Sequence, residues 1–466
     1  MEVFDAIIIG SGQAGNPLAK RLSREGKRVA IIESALVGGT CINYGCTPTK
    51  ALVASAKNMF QTRRAAAYGI MASDPLPNYR AINARKNRIV ADFRKGLVNS
   101  LTQDPNITFL QGKGAFSGQK AVRVQLKDLS YQTITAESIF INTGARPHIP
   151  DIEGLQSIKF FTSTTILDLN VLPQHLLIIG GGYIALEFAQ IFRRLGSLVT
   201  IVERSSRLLQ NEDEDVALEL TRILEEEGVR IILDTFVKRI SAETEELINI
   251  EMKATEKSVI LSGTHCMVAT GRTPNTEDLD LFKTAVQTDK DGYISVNDQL
   301  ETTTAGIYAL GDVKGGPAFT HVSYHDYVVL TGNLFGNKPS SIRDRLIPYC
   351  IFTDPELGRI GLTEKAAKEK GLEFSVAKMK SSFIARASET GETAGFIKAI
   401  VDLHTKKIIG VATICAGGGE LMSLLQIAML GGLTYDQLRD AMFAHPTYAE
   451  AINNLFSPAH LQPVIS

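Results

Sequence analysis

The strongest pattern along the chain is an apolar run that stops at a glycine turn, and it occurs twice. In FDAIIIGSGQAG an apolar strand enters the turn, a helix follows to about Gly26, and RVAIIE reads as the next strand. HLLIIGGGYIALEFA repeats the plan, with a strand over 176–179, a glycine turn, a helix to about Gly196 and the strand LVTIVE. Each stretch is a βαβ opening. Glu33 lies 23 positions after Gly10, and Glu203 lies 23 positions after Gly180. An echo follows each unit, INTGARP at 141–147 and VATGRTPN at 268–275. A duplication with matched offsets predicts two dinucleotide-binding domains in one chain.

After Asp312 the pattern changes. IPYCIFTDPELGRIGLTE starts an alternating segment near 347. Strands at about 374–380, 397–402 and 408–415 surround helices at 363–370 and 419–430, and a last helix begins near Tyr448. The fold expected is α/β, with two Rossmann-like dinucleotide-binding domains and an α+β C-terminal domain of the kind that dimerises. The expected division is 1–150 with 275–340, then 151–274, then 341–466. The basic stretch within 74–105 reads as a solvated amphipathic helix, because its cations are interleaved with core positions.

Composition narrows the classes of partner. Lys plus Arg number 49 and Asp plus Glu number 50, so charge gives no reason to expect nucleic acid or an acidic membrane. No apolar run reaches the length of a membrane span. MEVFDAIIIG lacks a basic leader region and reads as a first strand. Five cysteines in 466 residues are no disulfide scaffold, and a reducing cytoplasm is the expected setting.

The candidate chemistry sits at the turns. Gly10 permits a tight turn, Gly12 lets backbone approach a pyrophosphate, and Gly15 permits close helix–strand packing. The helix N-terminus faces the phosphates. Glu33 ends the second strand, where a carboxylate accepts ribose hydroxyls. Pro17, inside the first helix, is expected to bend or loosen that turn. In the second unit Gly180 and Gly182 are followed by Ala185, which the fingerprint allows. Glu203 favours a free 2′-hydroxyl and hence NADH, whereas Arg204 and Arg207 are placed to grip a 2′-phosphate. The choice between NADH and NADPH stays open.

GGTCINYGCTPTK carries Cys41 and Cys46 with four residues between them. A helix is expected from about Cys46, with Pro48 tolerated in its first turn. A helix N-terminus lowers a thiol pKa. The pair reads as an attacking and a resolving thiol. Two buried cysteines serving as small apolar residues are the bland alternative, which the glycines and the helix start disfavour. Cys266, Cys350 and Cys415 stand alone in apolar surroundings and read as packing residues. No metal site is expected.

GSGQAG, GGTCINYGCTPTK, GGGYIALE, ATGRTPN, ALGD and HPTYAE, in this order, resemble the class I pyridine nucleotide–disulfide oxidoreductases over essentially the whole chain. CTPTK with HPTYAEAINNLF is most similar to the mercuric-reductase-like members, with dihydrolipoamide dehydrogenases as a second likeness. The resemblance implies FAD on the first unit and NADH or NADPH on the second. It implies a flavin-proximal thiol at Cys46 and an interchange thiol at Cys41. It implies a Lys50–Glu187 ion pair beside the flavin N5, and a ribityl–pyrophosphate ligand at Asp312. Tyr183 would be a ring that gates the nicotinamide, with helix packing as its plain alternative. Thr40, Gly144, Gly271 and Gly311 join the cofactor-binding set. His445 and Glu450 would be an acid–base dyad reaching the flavin site of the other subunit, so the active unit would be a homodimer.

The tail LFSPAHLQPVIS departs from mercuric reductases, which carry a vicinal cysteine pair there, and no CxxC precedes the first strand. A soft ion such as Hg(II) wants thiolates. The reading expected is electron flow from NAD(P)H through FAD to Cys41–Cys46, then to a small disulfide or a thiol-bound metal such as Hg(II). The alternatives are direct reduction of a quinone or metal by flavin, and a flavin-bearing redox sensor or partner protein.

Overall fold

The computed structural model describes residues 1–244, 247–254, 257–336 and 339–463. The last three positions of the expected C-terminal domain, 464–466, lie outside the described residues.

Each glycine turn follows a strand of a parallel array, to which the first unit adds one antiparallel strand, Ala121–Leu126. In the first, strand Glu2–Ile9 lies between Val29–Glu33 and Tyr131–Ile141, parallel to both. Val29–Glu33 pairs in turn with Ile107–Gly118, and Tyr131–Ile141 pairs with Ile307–Ala309. Ile7, Ile8 and Ile31 are fully buried, as strands covered on both faces require. The second sheet runs Arg230–Ile232, Leu198–Val202, His175–Ile179, His265–Val268, Phe160–Thr162, all parallel. A three-stranded antiparallel sheet at 236–263 covers it, an element the sequence pattern did not reveal.

Helix α1 (Gly15–Arg24) follows the first turn. Pro17 is its third residue, where a backbone N–H has no partner within the helix in any case. The bonds on either side, Asn16 N–H to Gly12 O and Leu18 N–H to Ala14 O, are both 3.1 Å. The expected loosening is therefore absent. Helix α2 (Gly39–Asn43) carries Cys41, and α3 (Cys46–Arg63) begins on Cys46. Helix α4 (Tyr79–Thr102) is the basic stretch. Two of its cations serve structure, while Arg80, Arg88 and Lys95 are exposed: Arg85 donates to Ala51 O at 3.0 Å, and Lys86 is buried against Leu167 O. In the second unit α5 (Tyr183–Leu195) follows the turn and α6 (Glu214–Glu226) follows the strand.

The two echoes meet. Ala145–Pro147 and Arg272–Pro274 form an antiparallel ladder that joins the units. Helix α7 (Thr320–Phe335) then returns to pack on α1. The C-terminal part is an antiparallel sheet in the order Tyr349–Ile351, Glu356–Gly361, Ile408–Cys415, Phe396–Asp402, Phe374–Lys380, Leu461–Pro463. The last helix spans Ala451–Leu455, starting three residues later than the expected start near Tyr448. Among the described residues no helix is long and apolar enough to cross a membrane.

Candidate functional site

The first glycines are fixed by steric necessity. A Cβ on Gly10 (φ +105°) would lie 2.3 Å from Asn142 O, and one on Gly180 (φ +112°) would lie 2.4 Å from Ala269 O. Both carbonyls belong to the echo segments, so the duplication extends to the atoms that force glycine. Gly15 packs its α-carbon on Gly10 O, where a Cβ would come within 2.3 Å.

A cleft of about 1260 Å³ runs from Gly12 and Glu33 past Thr40, Cys41 and Cys46 to Lys50 and Glu187. Gly144, Tyr183 and Asp312 line it as well. Glu33 is buried and its carboxylate is aimed by the chain: Oε2 accepts from Ser11 N–H at 2.9 Å, and Oε1 accepts from Ala35 N–H at 2.8 Å. A Cβ on Gly144 (φ +69°) would meet nothing within 4 Å. A Cβ on Gly39 would come within 3.0 Å of the Gly12 α-carbon, so two bare backbone segments face each other here. This lining, with bare backbone at the glycines, the aimed Glu33 carboxylate at one end and Lys50 at the other, fits an elongated dinucleotide such as FAD.

Cys41 and Cys46 are free thiols, hydrogen-bonded to each other. The Cys46 pKa is pulled down to about 6, chiefly by the hydrogen bond from Cys41, then by Thr320 and the Lys50 charge, against burial. The Thr320 hydroxyl lies 3.2 Å from Cys46 Sγ. The Cys41 thiol is pushed up, by its bond to Cys46, by burial and by the charge of that neighbour. One proton is thus shared by the pair, and the charge resides on Cys46. Lys50 Nζ reaches Glu187 Oε2 at 2.7 Å and Oε1 at 2.9 Å. Glu187 is buried and also accepts Phe352 N–H at 2.9 Å. Asp312 bonds Arg272 at 3.3 Å, and burial pushes its carboxyl up.

Other sequence-predicted residues stand apart from the cleft lining. Gly180, Gly182, Glu203 and Arg204 form the second turn and the loop after its strand. Gly271 sits beside His148, and Gly311 donates its N–H to buried Asp326 at 2.8 Å. His445 Nδ1 lies 2.9 Å from Glu450 Oε2, and this pair is on the surface of the C-terminal part, away from the cleft of its own chain.

Several site residues escaped sequence reading. Thr320 and Phe319 precede or begin α7, and nothing in their local pattern marks a thiol neighbour. Cys350, read as a packing residue in apolar surroundings, lines the cleft near Glu356 and Lys50. Asn142, inside the echo INTGARP, was the most findable: its side chain accepts Gly15 N–H at 2.9 Å and donates to Leu310 O at 2.8 Å.

A twice-used dinucleotide turn, joined to a dithiol and a half-buried Lys–Glu pair, defines a two-nucleotide thiol oxidoreductase. The chain belongs to the pyridine nucleotide–disulphide oxidoreductase family. Residues 4–326 match that family's model, and residues 347–456 match the model of its dimerisation domain. Members use FAD and NAD(P)H. The chain is 38% identical to the probable pyridine nucleotide-disulfide oxidoreductase RclA of Escherichia coli K12, covering 98% of this chain and 99% of that one. It is 32% identical to a mercuric reductase of Staphylococcus aureus, over 96% and 81% of the two chains. It is 33% identical to a dihydrolipoyl dehydrogenase of Chlamydia trachomatis, over 99% of both. A solved structure described as the Cu(II) complex of the HOCl-induced flavoprotein disulfide reductase RclA from Escherichia coli superposes with a TM-score of 0.90 at 36% identity, over 98% and 99% of the chains.

Proposed function

We propose that this chain is an FAD-dependent NAD(P)H:disulfide oxidoreductase whose redox pair is Cys41–Cys46, acting on a small disulfide or a thiol-bound metal. The observation that carries this reading is the Cys41–Cys46 pair lining the cleft where Lys50 and Glu187 meet, with neighbours that lower the Cys46 pKa. In this reading residues 1–150 and 275–340 hold FAD, 151–274 hold NAD(P)H, and 341–466 form the subunit interface. FAD, when bound, supplies the two-electron relay between nicotinamide and thiols.

The protein's own groups do the rest. Gly10, Gly12 and the α1 N-terminus receive the pyrophosphate, and Glu33, Thr40, Gly144, Gly311 and Asp312 line or support the remainder. Lys50, held by Glu187, places a positive charge where reduction builds negative charge. Gly180, Gly182 and Gly271 shape the second turn, and Tyr183 covers the nicotinamide end. The lean towards NADH rests on Glu203. Arg207 bonds Gln210 O in its own loop, which leaves the exposed Arg204 as the residue to take a 2′-phosphate.

In the oxidative half, Cys41 gives its proton to His445 of the partner subunit, which Glu450 of the partner subunit orients. The Cys41 thiolate attacks one sulfur of RSSR, and RS⁻ leaves with the proton from the imidazolium. The Cys46 thiolate then attacks the Cys41 sulfur. The second RS⁻ leaves, and the pair closes as a disulfide.

The test is anaerobic oxidation of NADH and NADPH by wild type and Cys41→Ser. The acceptors offered are glutathione disulfide, lipoamide, Hg(II) and Cu(II) with excess thiol, and a quinone. An acceptor reduced by wild type alone supports the dithiol route. If every accepted substrate is reduced equally well by Cys41→Ser, the route is wrong.

A further inference from the structure

The second glycine turn, the loop after its strand and the aromatic lining of the cleft form a closed circuit. Leu209 N–H donates to Gly181 O at 3.0 Å, and Glu212 N–H donates to Leu209 O at 2.8 Å. The Tyr349 hydroxyl, from the C-terminal sheet, donates to Glu212 Oε1. The Tyr349 ring stacks on Phe319 at 5.4 Å, and Phe319 meets Tyr183 at 5.6 Å. Tyr183 stands two residues after Gly181, which closes the circuit.

The link through Glu212 is a firm one. Its side chain is only 3% exposed, with the equally buried Arg359 guanidinium 3.7 Å away. The guanidinium is shared with Asp213 Oδ2 at 3.7 Å, and a carboxyl this deeply buried has no solvent to turn to if it leaves its partners. The loop bearing Glu203, Arg204 and Arg207 leads into Leu209, whose N–H bonds Gly181 O, and a Cβ on Gly181 would lie 2.9 Å from Glu203 Oε2. With NAD(P)H assigned to the second unit, one end of the circuit would meet the adenosine half of the dinucleotide and Tyr183 the nicotinamide half.

We propose that the Glu212–Tyr349 hydrogen bond couples the two ends of the NAD(P)H site: filling the adenosine end fixes the loop and, through Tyr349 and Phe319, sets Tyr183 for hydride transfer. Glu212, Tyr349 and Phe319 are positioning residues in this role. The inference rests on the assignment of the second unit to NAD(P)H. Coupling of this kind operates when the two halves are separate molecules, because the protein carries it.

The experiment splits the dinucleotide. Dihydronicotinamide mononucleotide is mixed with the oxidised FAD holoenzyme in a stopped-flow instrument, with and without saturating ADP or 2′,5′-ADP, and flavin bleaching is timed. Each variant is compared with its own rate without ADP, and calorimetry records ADP binding. Wild type is expected to accelerate about fivefold or more, the usual lower range of coupling between sites. Tyr349→Phe, which keeps the ring and loses the hydroxyl, binds ADP without acceleration. Phe319→Ala breaks the circuit at its other contact and loses acceleration independently. Glu212→Gln, which keeps an acceptor, retains it. Equal acceleration in Tyr349→Phe, or bleaching of wild type that ADP does not change, overturns the coupling. If no dihydronicotinamide bleaches wild type, the assignment of the second unit falls, and the coupling with it.

Discussion

Cys46 owes its acidity to neighbours of different kinds. Its position at the start of α3 exposes it to the positive end of a helix of 18 residues. Cys41 donates a hydrogen bond that is strongest to a thiolate, and Thr320 offers a hydroxyl at 3.2 Å. Lys50 adds a charge that Glu187 partly cancels. Burial opposes all of these and is outweighed. The sign of the pH effect follows: the thiolate is present above about pH 6 and is lost as pH falls through that value. Alkylation of the reduced protein by iodoacetamide, followed against pH, is therefore expected to show one midpoint near about 6 from Cys46. Cys41 keeps its proton through the neutral range. Thr320→Val removes one donor to the charged sulfur, and the midpoint should rise by about one pH unit. A midpoint that Thr320→Val leaves in place would show that the hydroxyl does not hold the thiolate.

The elements differ in how openly the sequence declares them. The βαβ turns were legible because their cause is local: an apolar run, glycines at fixed offsets and a strand-ending glutamate lie within one short stretch. Even the echoes INTGARP and VATGRTPN were visible, though not that they pair with each other. The sheet at 236–263 was missed because its strands mix polar and apolar positions on an open face. Phe319, Thr320 and Tyr349 were missed because only long-range packing brings α7 and the strand at 349–351 to the cleft. The turn itself offers a clean separation of folding from binding. A Cβ on Gly180 would strike Ala269 O, whereas one on Gly182 would meet nothing within 4 Å. Gly180→Ala should lower stability by about 2–4 kcal/mol through strain at positive φ and the clash. Gly182→Ala should melt like wild type, yet put a methyl where a pyrophosphate would approach and raise KM for NAD(P)H about tenfold or more. Thermal melts with steady-state kinetics on both variants decide this. A destabilised Gly182→Ala with unchanged KM would remove that glycine from the binding turn.

At the scale of the whole molecule, the proposed mechanism needs two copies of the chain. Its thiols lie in the cleft, while the His445–Glu450 pair sits on the surface of the C-terminal part, with the histidine side chain 65% exposed. The imidazole is held at 2.9 Å by the carboxylate, and the cleft of its own chain is not beside it. Residues 347–456 match a dimerisation domain, which supplies a way to bring the pair to a second copy's thiols. Two inactive variants should then repair each other. In the proposed mechanism Cys41→Ser lacks the interchange thiol and His445→Gln lacks the acid–base group, so each homodimer should lose about 100-fold or more in disulfide reduction. In a mixed dimer one cleft combines an intact Cys41 with the intact His445 of the partner subunit, and the opposite cleft has neither. Unfolding and refolding the two variants together, or co-expressing them with different tags, should recover activity in the doubly tagged fraction alone. Recovery requires that the thiol and the imidazole of one working site come from different chains. If the doubly tagged dimers stay as inactive as their parents, while wild-type dimers made the same way are active, the dyad serves its own chain or no catalytic step at all.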